Sequence, residues 1–493
     1  MSQVHAYIVG QAQASFHNEP SVDHPFELIH SIARAALNDA NITPDQVDAI
    51  GCVDPFSWTY ADLGTKVAEA LGADQVRDFW LPAGGTTPQD LLHEVAKAMA
   101  EGEIDVAILV GAEAMRTRRK ASRAGETLPW PPRDKSVSPT RGQKPFTSDW
   151  EAKHGLRLPI QSFPLHENAI RAAHKRSHGE QIDVAASLLH KNALVAAENP
   201  HAWFQDAPSA KDIGEVSADN RMISYPYTKR MNAIMDVDQA AAIVVVSERM
   251  ADQFEATAIA VLGGAGAEEI WNPIERQSFS TCKAMEVAFD AALSFSGLTS
   301  DEVDAFDFYS CFPSPVQMAL SAMDMDIQDK RSFSITGGLA YAGGPGNNYV
   351  MHSLATAVTQ LRAEPKQHIM VTGVGMANTK HAATLLTHAS NIPEGATGKT
   401  EYRIETGAEA LLVHEQAEGQ AQIVTYTVEY DREGAPTNVI YILDLATGGR
   451  AIANARDAAS AEKQLVEGEP IGLNGHLVWD DADDRQYFEM AAT

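Results

Sequence analysis

Ala35-Ala36-Leu37 leads through Ile42-Thr43 and Asp45 to Val47-Asp48-Ala49, and Ala291-Ala292-Leu293 leads through Leu298-Thr299 and Asp301 to Val303-Asp304-Ala305. The two stretches align without a gap at a constant offset of 256 (293 − 37). Each reads as the end of an amphipathic helix, a turn carrying Thr and Asp, and then a strand. A repeat this distant is not a short-period solenoid. It points to two similar α/β halves, and a seam between halves is a natural place for a site.

Working outward, the first half alternates strand and helix. Strands are expected at Val4–Val9, Val47–Val53, Gln75–Leu81 and Ile104–Gly111, with helices at Pro25–Asp39, Tyr60–Leu71 and Thr87–Glu101, the last capped at Thr86 or Thr87. This alternation implies a largely parallel sheet covered on both faces. From Arg116 to about Met235 the rhythm breaks into a long excursion with helices at Asn168–Arg176 and Ile182–Ala197. An insertion of that size inside an α/β domain usually carries binding residues. Ala240–Ser247 returns to a buried strand.

The second half repeats the pattern. Strands are expected at Ala258–Gly263, Val303–Tyr309 and His368–Val374, and helices at Thr281–Phe295, Ser314–Met323 and Tyr349–Ala363. Pro393-Glu394-Gly395 marks a boundary. The tail carries β-rich runs at Ala421–Tyr430, Asn438–Leu443 and Gly475–Trp479, which suit a small β-barrel or sandwich. The division is therefore residues 1–252 with an insertion at 116–235, residues 253–395, and residues 400–493.

The 493 residues carry a formal charge of −28, which argues against nucleic-acid or anionic-membrane binding by the molecule as a whole. The charge is uneven. Arg116 to Arg176 holds 14 Lys and Arg against 5 Asp and Glu, and Thr400 to the end holds 6 against 18. The basic stretch is either a local attractor for an anion such as a phosphorylated cofactor or a solvated loop. Three cysteines (Cys52, Cys282, Cys311) fit a reducing compartment. With no basic-then-apolar leader and no apolar run long enough to span a bilayer, a cytoplasmic protein is expected.

Each half has a glycine-rich loop running into a helix: Gly84-Gly85-Thr86-Thr87 in the first and Gly343-Gly344-Pro345-Gly346-Asn347-Asn348-Tyr349 in the second. A helix that starts at such a loop presents free N–H groups to a carboxylate, a phosphate or a developing oxyanion. The bland alternative is a tight strand-to-helix turn. Between the loops lies Asp307-Phe308-Tyr309-Ser310-Cys311-Phe312-Pro313-Ser314, at the C-terminal end of an expected strand, where α/β proteins place chemistry. Tyr309 reads as a proton donor or a packed phenol, and Cys311 as a nucleophile or a buried apolar residue. His352 and His381 are candidate bases, or structural histidines. No dinucleotide fingerprint, P-loop or His-Glu-x-x-His is present, and Asp480, Asp481, Asp483 and Asp484 lack calcium-loop spacing.

Taken together, Tyr309-Ser310-Cys311-Phe312-Pro313, the Gly343–Tyr349 loop, Asn220-Arg221-Met222 with Pro226-Tyr227-Thr228-Lys229, and Thr379-Lys380-His381-Ala382 resemble the thiolase superfamily, and within it the thiolase-like proteins of type 1. The resemblance implies a five-layered αβαβα arrangement over residues 1 to 390 and a small OB-like barrel beyond them. It implies acyl-CoA as substrate or ligand with no permanently bound cofactor or metal, and the nucleotide of CoA lying near the basic insertion. Arg221, Lys229, Asn347 and Asn348 become substrate-binding candidates, and the backbones of Gly85, Gly344 and Gly375 become oxyanion candidates. It also implies acyl transfer in lipid metabolism and a homodimer through the sheet edge of the first half.

The same alignment shows departures. The family's nucleophilic cysteine falls on Gly85, its Gly-His-Pro histidine on Gly344, its second cysteine at or beside Gly373, and its central asparagine or histidine on or near Tyr309. Three functions compete: a non-covalent aldol or Claisen-type enzyme using Tyr309 with His352 or His381, a non-catalytic CoA-binding or scaffold protein, and an acyltransferase using Cys311 from a displaced position.

Overall fold

The computed structural model describes residues 5–19, 21–73, 76–134, 136 and 143–491. Val4 and Gln75, where two strands are expected to start, lie outside the described residues. The first half supplies β1 (Ala6–Ser15), α1 (Pro25–Ala40), β2 (Ala49–Val53), α2 (Leu63–Leu71), β3 (Arg77–Phe79), α3 (Thr87–Ala100) and β4 (Val106–Ala114). The insertion follows with α4 (Met115–Ala124), α5 (Asp149–Lys153), α6 (Pro159–Ala173), α7 (His178–Glu198), α8 (Ala210–Gly214), β5 (Met222–Ser224) and β6 (Tyr227–Thr228), and β7 (Asp238–Ser247) closes the half. After α9 (Glu248–Ala251) come β8 (Ile259–Glu268), α10 (Lys283–Ser296), β9 (Ala305–Asp307), α11 (Pro313–Ala322), α12 (Tyr349–Ala363), β10 (His368–Gly375), β11 (Lys380–His388) and β12 (Thr400–Ile404). The tail holds β13 (Gly419–Tyr430), β14 (Pro436–Leu445), β15 (Arg450–Asn454), α13 (Ala458–Glu467), β16 (Asn474–Asp480) and β17 (Arg485–Met490).

The duplication is visible in the sheet ladders. In the first half β7 is antiparallel to both β1 and β4, and β4 is parallel to β2. In the second half β11 is antiparallel to both β8 and β10, and β10 is parallel to β9. Even the β2–β3 pairing has a trace, in the parallel bridge between Ala305 and Ser332. The repeated turn folds the same way twice. Thr43 gives its N–H and hydroxyl to Gln46 Oε1 (2.9 and 3.0 Å), and Thr299 gives the same two to Glu302 Oε2 (2.9 and 2.8 Å).

The layers follow from which helix faces are apolar. β1 and β8 pair and join the halves into one ten-stranded sheet, with α1 packed on β1, β4 and β7 and α10 on β8 and β11, each through an alanine-rich buried stripe. α3 and α12 touch strands of both halves. A helix packed this way has almost no solvent face. The polar residues Thr87, Gln89, Asp90 and His93 of α3, and His352 and Ser353 of α12, are therefore buried. Both glycine loops lead into these central helices.

Three elements differ from expectation: β11, α6 and β12. β11 is not anticipated, because Lys380, His381 and His388 disguise a strand that is buried along its whole length. Helix α6 starts at Pro159 and runs through Pro164 to Ala173. The expected helix 168–176 straddles its end, where Lys175 takes a left-handed φ of 54° and Ser177 caps α7. The tail forms a closed five-stranded barrel in the order β13-β14-β15-β17-β16 and back to β13. Thr400–Ile404, which sequence patterning placed with the tail, instead adds a parallel strand to β8.

The insertion and the barrel are stitched together. β5 pairs with β13 through Ser224 and Glu429, Asn168 donates to the Tyr426 carbonyl (2.9 Å), and the buried guanidinium of Arg171 grips Glu469 with two bonds of 2.5 and 2.6 Å. Leu156 and Leu165 of the insertion, Ile274 and Phe279 of the second half, and Ile440, Ile442 and Ile452 of the barrel form one apolar junction. No helix among the described residues is long and apolar enough to cross a membrane.

Candidate active site at the seam of the two halves

The loop before α3 meets the end of β10 in the other half. A Cβ built on Gly85 would collide with the Val374 carbonyl oxygen and lie 2.6 Å from the Tyr309 hydroxyl. One on Gly375 would lie 3.3 Å from the Gly85 nitrogen. Glycine is required at 85 because backbone and phenol already fill that space. The Gly85 N–H donates to no group among the described residues.

Tyr309 follows the end of β9. Its N–H donates to Thr372 Oγ1 (2.9 Å) and its ring stands edge-on to Tyr349 at 5.5 Å. Burial, with the neighbouring Cys311 second, pushes its phenol well above the ordinary tyrosine range, so it is a proton donor and not a base. Tyr349 is held in turn by the buried Asp307. That carboxylate accepts from Tyr349 (3.0 Å), Ser353 (2.5 Å), Ser334 (2.8 Å) and Thr336 (3.0 Å). This pedestal fixes the ring that orients Tyr309.

Lys380 opens β11 and points back at the first half. Its ammonium is 3.5 Å from Asp90 and 3.3 Å from the Pro82 carbonyl, and a Cβ on Gly84 would lie 3.3 Å from it. Thr86 also donates to Asp90 (2.7 Å). Burial raises the Asp90 carboxyl, and Lys380 is the largest influence pulling it back. The pair places a buried cation beside the glycine loop.

The other sequence candidates are placed as follows. Cys311 is half-buried, its thiol is pushed up chiefly by burial, and its carbonyl accepts from Ala233 of the insertion (3.0 Å). Gly344 donates to the Ile234 carbonyl (2.8 Å), so insertion residues 233 and 234 run between Cys311 and the second loop. Asn347 and Asn348 are buried, and their amides donate to the Asp54 and Gly111 carbonyls (3.1 and 2.7 Å), clipping the second loop onto the first half. His352 shares a 3.1 Å contact with Gln13 and faces a water-sized void with His201 and Gln239; burial lowers it to about 3. Arg221 reaches the Asp431 carbonyl of the barrel (3.2 Å), and Lys229 is exposed.

His381 lies on β11 and is buried. Its Nε2 lies 3.1 Å from Cys282 Sγ and 3.2 Å from the Asn378 carbonyl, and burial lowers it to about 4. Sequence reasoning passed over Cys282, Asp307 and the Lys380–Asp90 pair. Asp307 sits inside the quoted motif, but nothing in its spacing names its partners; the other pairs join residues far apart in the chain. No cluster of metal-ligating groups is present among the described residues.

Residues 406–483 match the family described as thiolase-like protein type 1 additional C-terminal domain. No curated protein matches the chain. Among solved structures, a monomeric SCP2-thiolase like protein type 1 from Mycobacterium smegmatis is 27% identical, with 99% of each chain covered and a TM-score of 0.81. The Ltp2-ChsH2(DUF35) aldolase is 18% identical over 78% of this chain and 98% of that one, with a TM-score of 0.60. An acetyl-CoA acetyltransferase from Syntrophomonas wolfei is 13% identical over 79% of this chain and 100% of that one, with a TM-score of 0.58. The chain thus has the thiolase-like fold and carries the additional C-terminal domain of thiolase-like proteins of type 1.

Proposed function

We propose that this protein binds acyl-CoA thioesters at the seam and makes or breaks a carbon–carbon bond beside the thioester without a covalent acyl-enzyme. The observation that carries the reading is the Tyr309 hydroxyl, which stands where a side chain at position 85 would project. In the resemblance drawn above that position belongs to the nucleophilic cysteine. A phenol kept protonated by burial supplies a proton to an enolate or alkoxide as it forms. The Lys380 ammonium beside Gly84, together with the Gly85 amide, which donates to no group among the described residues, favours negative charge on the thioester oxygen. The fold is shared with an aldolase and with an acetyl-CoA acetyltransferase, which supports this reaction class. Cys311 is a poorer fit to acyl transfer, since no base contacts its thiol among the described residues.

Calorimetry with CoA and acetyl-CoA tests binding, and absence of heat at millimolar ligand overturns it. With an acyl-CoA that is turned over, Tyr309→Phe should keep CoA affinity and lose about 10²- to 10⁴-fold in kcat. Unchanged turnover removes Tyr309 from the chemistry. The loss of cysteine and histidine at Gly85 and Gly344 favours a second reading, a non-catalytic CoA-binding scaffold, and binding without turnover of any acyl-CoA is its signature.

A further inference from the structure

Where the insertion meets β1, β7 and α12, a cavity of about 10 Å³ is lined among others by Gln13, Asn199, Gln239, Gly343 and His352. That is room for one water molecule and for nothing larger. His352 and Gln239 are only 6% and 2% exposed. Each keeps one buried polar atom without a protein partner among the described residues, Nε2 of His352 and Oε1 of Gln239. We propose that this cavity is the site of one structural water, which donates one hydrogen to His352 Nε2 and the other to Gln239 Oε1.

The count of donors and acceptors leads to this arrangement. Gln13 gives its side-chain amide to Thr356 Oγ1 (3.1 Å), so its Oε1 is an acceptor. His352 Nδ1 lies 3.1 Å from that oxygen and must donate to it. Burial, with His201 second, lowers the ring to about 3, so near neutral pH it carries a single proton, already used at Nδ1. Its Nε2 is left as an acceptor. Gln239 gives its amide nitrogen to the Ala342 and His201 carbonyls (2.9 and 3.3 Å), which leaves its Oε1 an acceptor as well. Two acceptors cannot satisfy each other, and leaving both bare in the interior is unfavourable. A water molecule has the two hydrogens they lack and the size of the cavity. Asn199 uses one amide hydrogen on the Thr336 carbonyl (2.8 Å) and has a second for the water oxygen. Three bonds are the usual complement of a buried water.

Other fillings suit the cavity less. A void stays dry when its wall is apolar, and this wall is polar. It holds no carboxylate to balance a cation, and an anion would meet two acceptors. The water has a structural result. Gln239 belongs to β7 of the first half and His352 to α12 of the second. Gly343 packs so closely on Gln239 that a Cβ there would lie 2.3 Å from Oε1. One molecule thus ties the central helix and the glycine loop that opens it to a strand of the opposite half. With Nδ1 on Gln13 and Nε2 on the water, His352 has no nitrogen left for a substrate. It is thereby removed from the candidate bases. This inference does not depend on the acyl-CoA reading.

The test is a crystal structure of the full chain at a resolution that shows ordered water. The expected result is a single density peak, of the strength of a water oxygen, at about 2.7–3.2 Å from both His352 Nε2 and Gln239 Oε1. No peak, a peak in reach of only one of the two atoms, or an ion in its place overturns the proposal. His352→Leu removes one of the two acceptors, and crystals of the folded variant should lose the peak. A peak that stays in that variant shows that other groups hold the water, and overturns the assignment. If the variant does not fold, the wild-type density decides alone. CoA calorimetry and Tyr309→Phe turnover are untouched by any of these results, so the two readings fall separately.

Discussion

Gly85 and Tyr309 occupy one space between them, and that exclusion governs what the seam tolerates. Gly85→Cys would restore the side chain expected from the resemblance, but it drives a Cβ into the Val374 carbonyl and the phenol. We expect the substitution to lower stability by about 1–3 kcal/mol, read as a lower denaturant midpoint, and to yield no acyl adduct at residue 85. An unchanged midpoint would show that β10 yields more readily than its packing implies. Glu113 gives a second test at this scale. Burial raises its carboxyl from about 4.5 to about 7, against amide bonds from Phe56 and Ser57 (2.6 and 2.9 Å). Because the folded value is the higher, its contribution is full below about pH 4.5 and fades as pH rises to 7. Between those limits the stability difference between wild type and Glu113→Gln should change with pH and then level off, as urea titrations at several pH values would show. Tyr309 was legible in the sequence because it ends a strand beside glycine loops. The Lys380–Asp90 pair was not, because its two members come from different halves of the chain.

At the scale of elements, the repeated turn is the part of the fold that sequence revealed most fully. Its Thr stands in both copies because the same capping geometry, Thr43 with Gln46 and Thr299 with Glu302, starts both short 3₁₀ turns. Thr43→Ala and Thr299→Ala should each cost about 1 kcal/mol, and by similar amounts, in thermal unfolding. A large inequality would mean that one copy has lost the structural role. What sequence hid are the elements whose polar residues are buried. α3 buries Thr87, Gln89, Asp90 and His93, α12 buries His352 and Ser353, and β11 begins with Lys and His. Hydrophobic periodicity reads burial only where burial is apolar. Here Lys380 is buried with Asp90, and His93 with Thr384 (2.9 Å), each partner coming from the other half.

For the whole molecule, the uneven charge has a structural meaning that composition alone left open. Part of the basic insertion faces the acidic barrel: Arg171 meets Glu469 and Lys153 meets Asp484 (2.5 Å). Other cations of the insertion return to Asp236 and Asp238 beside β7. Arg171→Met should loosen the docking and expose the α6–barrel contact, seen as faster amide exchange in α6 and β13 with little change in β4 or β10. Uniform protection across all four would show that the apolar junction alone holds the barrel. The pairing of Ser224 with Glu429 has one more result. A short run of chain leads from Ser224 to Ile234, and Ile234 bonds both the Leu339 carbonyl and the Gly344 amide. One short stretch of chain thus ties the barrel at one end to the loop before α12 at the other.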